Sequence, residues 1–275
     1  MARTFLLGVV ALALVACGGS DATTAHDVGE SFSPRAEDPV RVLVLGDSVT
    51  VDGSPGIRAA LEATGAASVT LAAGPAAGLT TDYDWRTEYL RLIAEHRPDV
   101  VVLMFGGEWD LPTVKKAPER YDEIVAEATQ MITADDTRLV LIGMPPHPPG
   151  KIDDSLRRRA NRSFEAAAAI DKVEYLSPEP IFANAAGQYT DFLPDPEGVL
   201  ARIRKVDGTH ICPEGAARLG DAVRVALGDT WELPDPDPTW WFGPWRNDAL
   251  YTDSNVYEYP SGVLTTNVCP PPPAT

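Results

Sequence analysis

Basic residues are scarce in this sequence. Its 23 lysines and arginines stand against 40 aspartates and glutamates, a formal net charge of −17. Such a surface repels phosphate backbones, which argues against nucleic acid as a partner and against a polybasic mode of membrane binding. Cysteine is rare as well, three in 275 residues. There is no Cys-x-x-Cys pair and no His/Cys cluster at ligand spacing, so no metal or other cofactor is expected. No period of 20–50 residues repeats, which removes solenoids and propellers. The apolar run near the N-terminus, residues 5–16 (FLLGVVALALVA), is too short to span a bilayer.

What is present suffices for one sizeable core, since 44% of the residues are hydrophobic. The run at 5–16 follows Arg3 and has the length of a signal-peptide core. It ends in Leu14-Val15-Ala16-Cys17, and a polar stretch (GGSDATTAHD) follows. This junction resembles a bacterial lipobox. The resemblance implies that residues 1–16 are a signal peptide and that Cys17 carries a diacylglycerol thioether. The chain is then exported and lipid-anchored to the outer face of the bacterial cell membrane. An ordinary secretory signal that contains a cysteine is the alternative. Residues 17–39 read as a flexible stalk. With Cys17 acylated, Cys212 and Cys269 remain, and an even pair in an oxidising compartment reads as one disulfide. It would pin the C-terminal tail beside His210; two free thiols are the alternative.

From residue 40 the pattern alternates between strand and helix. Strands are expected at 40–45 (VRVLVL), 68–72, 99–105 (DVVVLMF), 138–143 and 173–176, and helices at 56–63, 85–95, 118–132, 154–170 and 214–227. The continuous apolar run at 99–105 suits a strand buried on both faces. Such alternation predicts an α/β fold, a five-stranded parallel sheet between two helical layers over residues 40–228. In such a sheet, ligands bind at the edge where the strands end. Residues 229–275 form an irregular, Pro-rich extension holding four of the six tryptophans, Trp231, Trp240, Trp241 and Trp245. It reads as a belt packed on the domain or as a platform for sugar rings.

Directly after the first strand stands Gly46-Asp47-Ser48. This places a hydroxyl at the active edge, beside backbone N–H groups that can hold an oxyanion. A serine needs a base. Of the four histidines, His26 is in the stalk and His96 closes a helix on the opposite edge. His147 lies in a PPHPP loop on the correct edge with no acid close in sequence. His210 sits in Asp207-Gly208-Thr209-His210 before the closing helix, with Asp207 able to orient the imidazole. His147 is the fallback base.

Gly-Asp-Ser after the first strand, with Asp-x-x-His before the last helix, resembles the SGNH (GDSL-type) hydrolases across about 190 residues. The resemblance implies a flavodoxin-like α/β/α sandwich and an esterase, deacylase or O-acyltransferase activity. It implies Ser48 as nucleophile, Asp207 and His210 as its partners, and the N–H groups of Ser48 and Gly74 (in LAAGPAAG) as oxyanion donors. The third family block, Gly-x-Asn-Asp, departs. Here it reads Gly107-Glu108-Trp109-Asp110, with Trp109 in the Asn position. Trp109 can offer only its indole N–H. A similar Gly-x-Trp-acid pattern occurs in SGNH domains attached to acyltransferases of surface glycans; Trp109 filling the core is the alternative. Three readings follow. The first is an esterase acting on an O-acylated extracellular or cell-wall glycan or similar ester. The second is an acyltransferase using the same site, and the third a non-catalytic glycan-binding lipoprotein.

Overall fold

A computed structural model describes residues 33–252 and 268–270. The leader at 1–16, the lipidation candidate Cys17, the stalk to residue 32, and residues 253–267 and 271–275 of the extension lie outside the described residues.

The chain runs β1 (Val40–Gly46), α1 (Ser48–Glu62), β2 (Ala67–Leu71), α2 (Trp85–His96), β3 (Val100–Met104), α3 (Leu111–Lys116), α4 (Pro118–Ile132), β4 (Arg138–Ile142), α5 (Asp154–Ala167) and β5 (Val173–Leu176). There follow α6 (Glu179–Phe182), a two-stranded antiparallel ribbon of β6 (Phe192–Pro194) and β7 (Leu200–Arg202), and the closing helix α7 (Pro213–Trp231). The described part of the extension holds two 3₁₀ turns, Pro238–Phe242 and Pro244–Asn247, and the short α8 (Ala249–Thr252).

The five strands lie in the order β2-β1-β3-β4-β5 and are all parallel. This is the α/β architecture expected from the sequence. The chain leaves β1 outward to β2 and returns on the other side to β3. The strand order therefore reverses at β1 and β3, and a crevice opens beyond their carboxyl ends. Alternation along β1 divides the core. Leu43 and Leu45 face the layer of α2, α4 and α5, with Trp85, Tyr89, Tyr121 and Phe164. Val40, Val42 and Val44 face α1 and α7, with Ile57, Leu61, Leu219 and Trp231. Each such large side chain, fully buried, contributes about 1.5–3 kcal/mol.

The first helix differs from the expectation: it begins at Ser48, eight residues before the expected start at 56. Gly53 and Pro55, ahead of that expected start, are poor helix formers, but the glycines of α1 answer to packing. A Cβ on Gly56 would lie 2.0 Å from the Ala216 carbonyl oxygen, and one on Gly220 would lie 2.2 Å from the Gly56 oxygen. Helices α1 and α7 thus touch backbone to backbone, which only glycine allows. The helix expected over 154–170 ends at Ala167, and α7 runs past the expected boundary at 228 to Trp231. Short elements α3 and α6 and the ribbon β6–β7 lack a hydrophobic period long enough to be read in advance.

The extension packs against the α1–α7 layer. Leu233, Trp245 and Cys269 lie against this half of the core, and Trp231 and Tyr251 are buried within it. Cys212 and Cys269 form a disulfide with Cα atoms 5.6 Å apart.

Candidate active site

Ser48 is the first residue of α1, at the carboxyl end of β1, and is buried. Asp47 caps the helix by accepting from the N–H groups of Val49 (3.0 Å) and Thr50 (3.3 Å). Gly46 ends the strand at φ +146°, and a Cβ there would lie 2.0 Å from the Met104 carbonyl oxygen. The turn that lifts Ser48 above the sheet therefore requires glycine next to β3.

His210 reaches Ser48 from the far end of the domain. Its Nε2 lies 2.9 Å from Ser48 Oγ, and its Nδ1 lies 2.6 Å from Asp207 Oδ2. A carboxylate accepts only, so Nδ1 carries the proton and the Nε2 lone pair faces the serine hydroxyl. Asp207 Oδ1 accepts the N–H groups of Thr209 (2.9 Å) and His210 (3.0 Å). Burial works to raise the Asp207 pKa, but its hydrogen bond to His210 and the two N–H bonds help to outweigh it and hold the carboxyl well below the usual range.

Ser48, Asp207 and His210 line a cleft of about 110 Å³, together with Trp109, His147 and Thr209. Trp109 is 41% exposed, so it does not fill the core. Its indole nitrogen lies within 3.1 Å of where a Gly107 Cβ would be, at the cleft wall. Gly74 is elsewhere. Its N–H donates to the Gly46 carbonyl at 3.0 Å, extending the β1–β2 ladder, and it does not line the cleft. The sequence could not show that this donor was already committed. The fallback histidine, His147, lines the cleft but turns Nδ1 to the Pro145 carbonyl at 2.9 Å, while its buried Nε2 has no hydrogen-bond partner among the described residues. Burial, with the Arg204 charge, lowers its pKa to about 3. Of the two cleft histidines, it is His210 that meets Ser48.

Residues 41–226 match the family described as "Protein of unknown function (DUF459)". The chain belongs to the DUF459 family. No curated protein sequence matches it. Among solved structures, the DUF459 domain is similar to a protein of Slackia heliotrinireducens assigned as an SGNH hydrolase, with 20% identity over 69% of this chain and all of that one, at TM-score 0.50. It is similar to a lipase/acylhydrolase of Enterococcus faecalis (14% identity, 72% and 98% covered, TM-score 0.53). It is also similar to an acetylxylan esterase of Geobacillus stearothermophilus, solved as a catalytic mutant (13% identity, 68% and 94% covered, TM-score 0.51). The fold is therefore that of the SGNH hydrolases.

Several residues that position the DUF459 site escaped sequence reading. Asp52, one turn along α1 from Ser48, is fully buried and pairs with the equally buried Lys205 at 3.0 Å. Asp52 also accepts the Ile211 N–H at 3.0 Å, next to His210. Burial raises the Asp52 pKa against the opposing pull of Lys205. Lys205 donates further to the Leu250 carbonyl, and Tyr251 donates to the Asp52 carbonyl at 2.7 Å. The extension is thereby wired to the histidine loop. Arg204, also buried, donates to the carbonyls of Thr209 (2.8 Å) and Pro146 (3.3 Å) and ties that loop to the one carrying His147. Asp110 accepts from the N–H groups of Leu79 (3.1 Å) and Thr80 (2.9 Å), holding the β2–α2 loop. The available signal was charge inside apolar segments: Asp52 in α1, and Arg204-Lys205 just before Asp207. None of the four tryptophans of the extension lines the cleft. Trp241 instead donates to Glu214 at 3.2 Å and Trp245 to the Trp240 carbonyl at 2.7 Å, as a packed belt does. Among the described residues, no group of three or more His, Cys, Asp or Glu is placed to hold a metal ion.

Proposed function

We propose that this protein is a serine esterase that removes acyl groups from an O-acylated extracellular or cell-wall glycan or a similar ester. The carrying observation is the chain Asp207 Oδ2–His210 Nδ1 at 2.6 Å and His210 Nε2–Ser48 Oγ at 2.9 Å. Chance motifs from opposite ends of a domain have no reason to converge in this order. Ser48 Oγ attacks the ester carbonyl carbon as Nε2 takes its proton, and Asp207 stabilises the imidazolium. The oxyanion is met by the Ser48 N–H, which has no intrahelical acceptor, and by the Trp109 indole N–H. The C–O bond then breaks, and His210 protonates the departing alcohol. Water attacks the acyl-enzyme, gives its proton to Nε2, and Ser48 is released. The exposed face of Trp109 beside Ser48 suits a sugar ring, and a similar fold serves a protein named as an acetylxylan esterase.

Labelling of the purified protein by a fluorophosphonate tests this reading. The wild type is expected to label and Ser48→Ala not to; an unlabelled wild type sinks it. The Leu14–Cys17 junction supports an anchor at the outer face of the cell membrane. On that reading the protein partitions into detergent and Cys17→Ser releases it; unchanged partitioning of the variant defeats the anchor.

A further inference from the structure

Beyond Trp109 the cleft continues into a second groove of about 480 Å³, and the two share Glu108, Trp109 and Lys151. The groove lies between α3 and the start of α5. Its floor is apolar, made by Leu111, Pro112, Ile152 and Leu156, and its rim carries Lys115, Lys116 and Lys151. Three lysines around one apolar groove stand out in a chain where acidic residues outnumber basic ones 40 to 23. Most exposed arginines of the domain are spent on carboxylates, as in Arg86–Glu127, Arg91–Glu88, Arg120–Glu123 and Arg158–Asp154. Among the described residues, Lys115 and Lys116 enter no such ion pair, though both are exposed. Lys151 donates to the Asp207 carbonyl at 2.6 Å, which brings its ammonium to the edge of the cleft itself. Two acids, Glu108 and Asp153, also line the groove. The Asp153 carboxylate is turned onto Ser155, accepting from its N–H (2.9 Å) and hydroxyl (2.6 Å) as the cap of α5, and it feels the Lys115 charge only as a minor influence beside those bonds.

We propose that this groove receives the apolar part of the ester and that Lys115 and Lys116 meet an anionic group, a carboxylate or a phosphate, carried on it. The inference rests on the esterase reading for its place in the reaction, but not for the binding it claims. The physical case is complementarity. An anion is repelled by most of this surface and attracted at this rim, so the charge chooses which end of a substrate lies over Trp109 and which reaches Ser48. The apolar floor supplies affinity without choosing orientation.

The test uses hexanoate, hexyl phosphate and hexan-1-ol as probes of equal chain length. Each is titrated into the full-length protein in detergent while the Trp109 indole N–H resonance is followed, with Trp109→Phe for its assignment. The two anions are expected to shift that resonance at about fivefold lower concentration than the alcohol, from two exposed charge contacts. Lys115→Gln/Lys116→Gln is expected to erase the difference. A shift by only one anion names which of the two is carried. Equal response to all three probes, no response to any, or an advantage that survives the double substitution overturns the proposal. Hydrolysis of 4-nitrophenyl butyrate and of the 4-nitrophenyl monoester of glutarate is measured alongside. If neither ester is cleaved while the anion preference persists, the esterase reading fails and the groove assignment stands.

Discussion

The N–H of Gly107 donates to Asp47 Oδ2 at 2.6 Å, fastening the loop that carries Trp109 to the residue that precedes Ser48. The other carboxylate oxygen of Asp47 caps α1. One buried side chain thus sets both the helix bearing Ser48 and the opposite wall of the cleft. Asp47→Asn keeps the size but must turn an NH₂ toward one set of donors. A stability loss of about 1.5–3 kcal/mol is expected, that of a hydrogen bond to a charged group, together with a fall in kcat. Thermal unfolding and turnover measured on the same preparation check this; an unchanged kcat would show that Asp47 serves folding alone.

The roles in the cleft separate kinetically. Asp207→Asn should lower kcat by about 10⁴, because the amide no longer favours the Nδ1–H tautomer. Ser48→Ala and His210→Ala should each cost as much as the pair together, since the two act as a unit. Trp109→Phe keeps a ring and removes the indole N–H. If that N–H holds the oxyanion, kcat falls by about 10²–10³ with little change in KM. A rise in KM alone would make Trp109 a substrate platform instead.

The Cys212–Cys269 bond closes a loop of 57 residues two positions from His210. Cys212→Ala/Cys269→Ala should lose about 2–4 kcal/mol of stability from the freed unfolded chain. Turnover should fall too, because the disulfide and the Lys205–Leu250 contact both tie the extension to the histidine loop. Mass spectrometry after alkylation without reductant should find both cysteines unmodified in the wild type.

His147 gives a pH signature. Its folded pKa of about 3 lies below the ordinary 6.5, so the unfolded chain takes up this proton first as pH falls. The stability that neutral His147 contributes is complete above pH 6.5 and is lost as pH drops toward 3. The slope is at most roughly 1.4 kcal/mol per pH unit. Denaturant unfolding of wild type and His147→Gln at pH 7, 5.5 and 4.5 should show the wild type losing more over that interval. Parallel loss in both proteins would place the acid sensitivity at another group.

Much of the architecture was legible because periodicity is local. The runs at 40–45 and 99–105 announce buried parallel strands without reference to any partner. Gly-Asp-Ser and Asp-x-x-His could be placed because each directly adjoins a recognisable element. The start of α1 was missed for a corresponding reason: Gly53 answers to Leu219 of α7, more than 150 residues away in the chain, while read in isolation Gly53 and Pro55 disfavour a helix.

By itself, then, the sequence determined the order along the chain of the five sheet strands and the five long helices, and the edge of the sheet at which Ser48 and His210 stand, since these follow from hydrophobic period and short-range turn chemistry. Only the tertiary structure decided which of the two cleft histidines meets Ser48, that the Gly74 N–H is committed to Gly46, that Trp109 stands at the cleft wall, and that the buried Asp52–Lys205 pair holds the histidine loop. Each of these depends on distances between segments far apart in the chain, and hydrogen bonds and ion pairs act over a few ångströms of space whatever the number of residues between them.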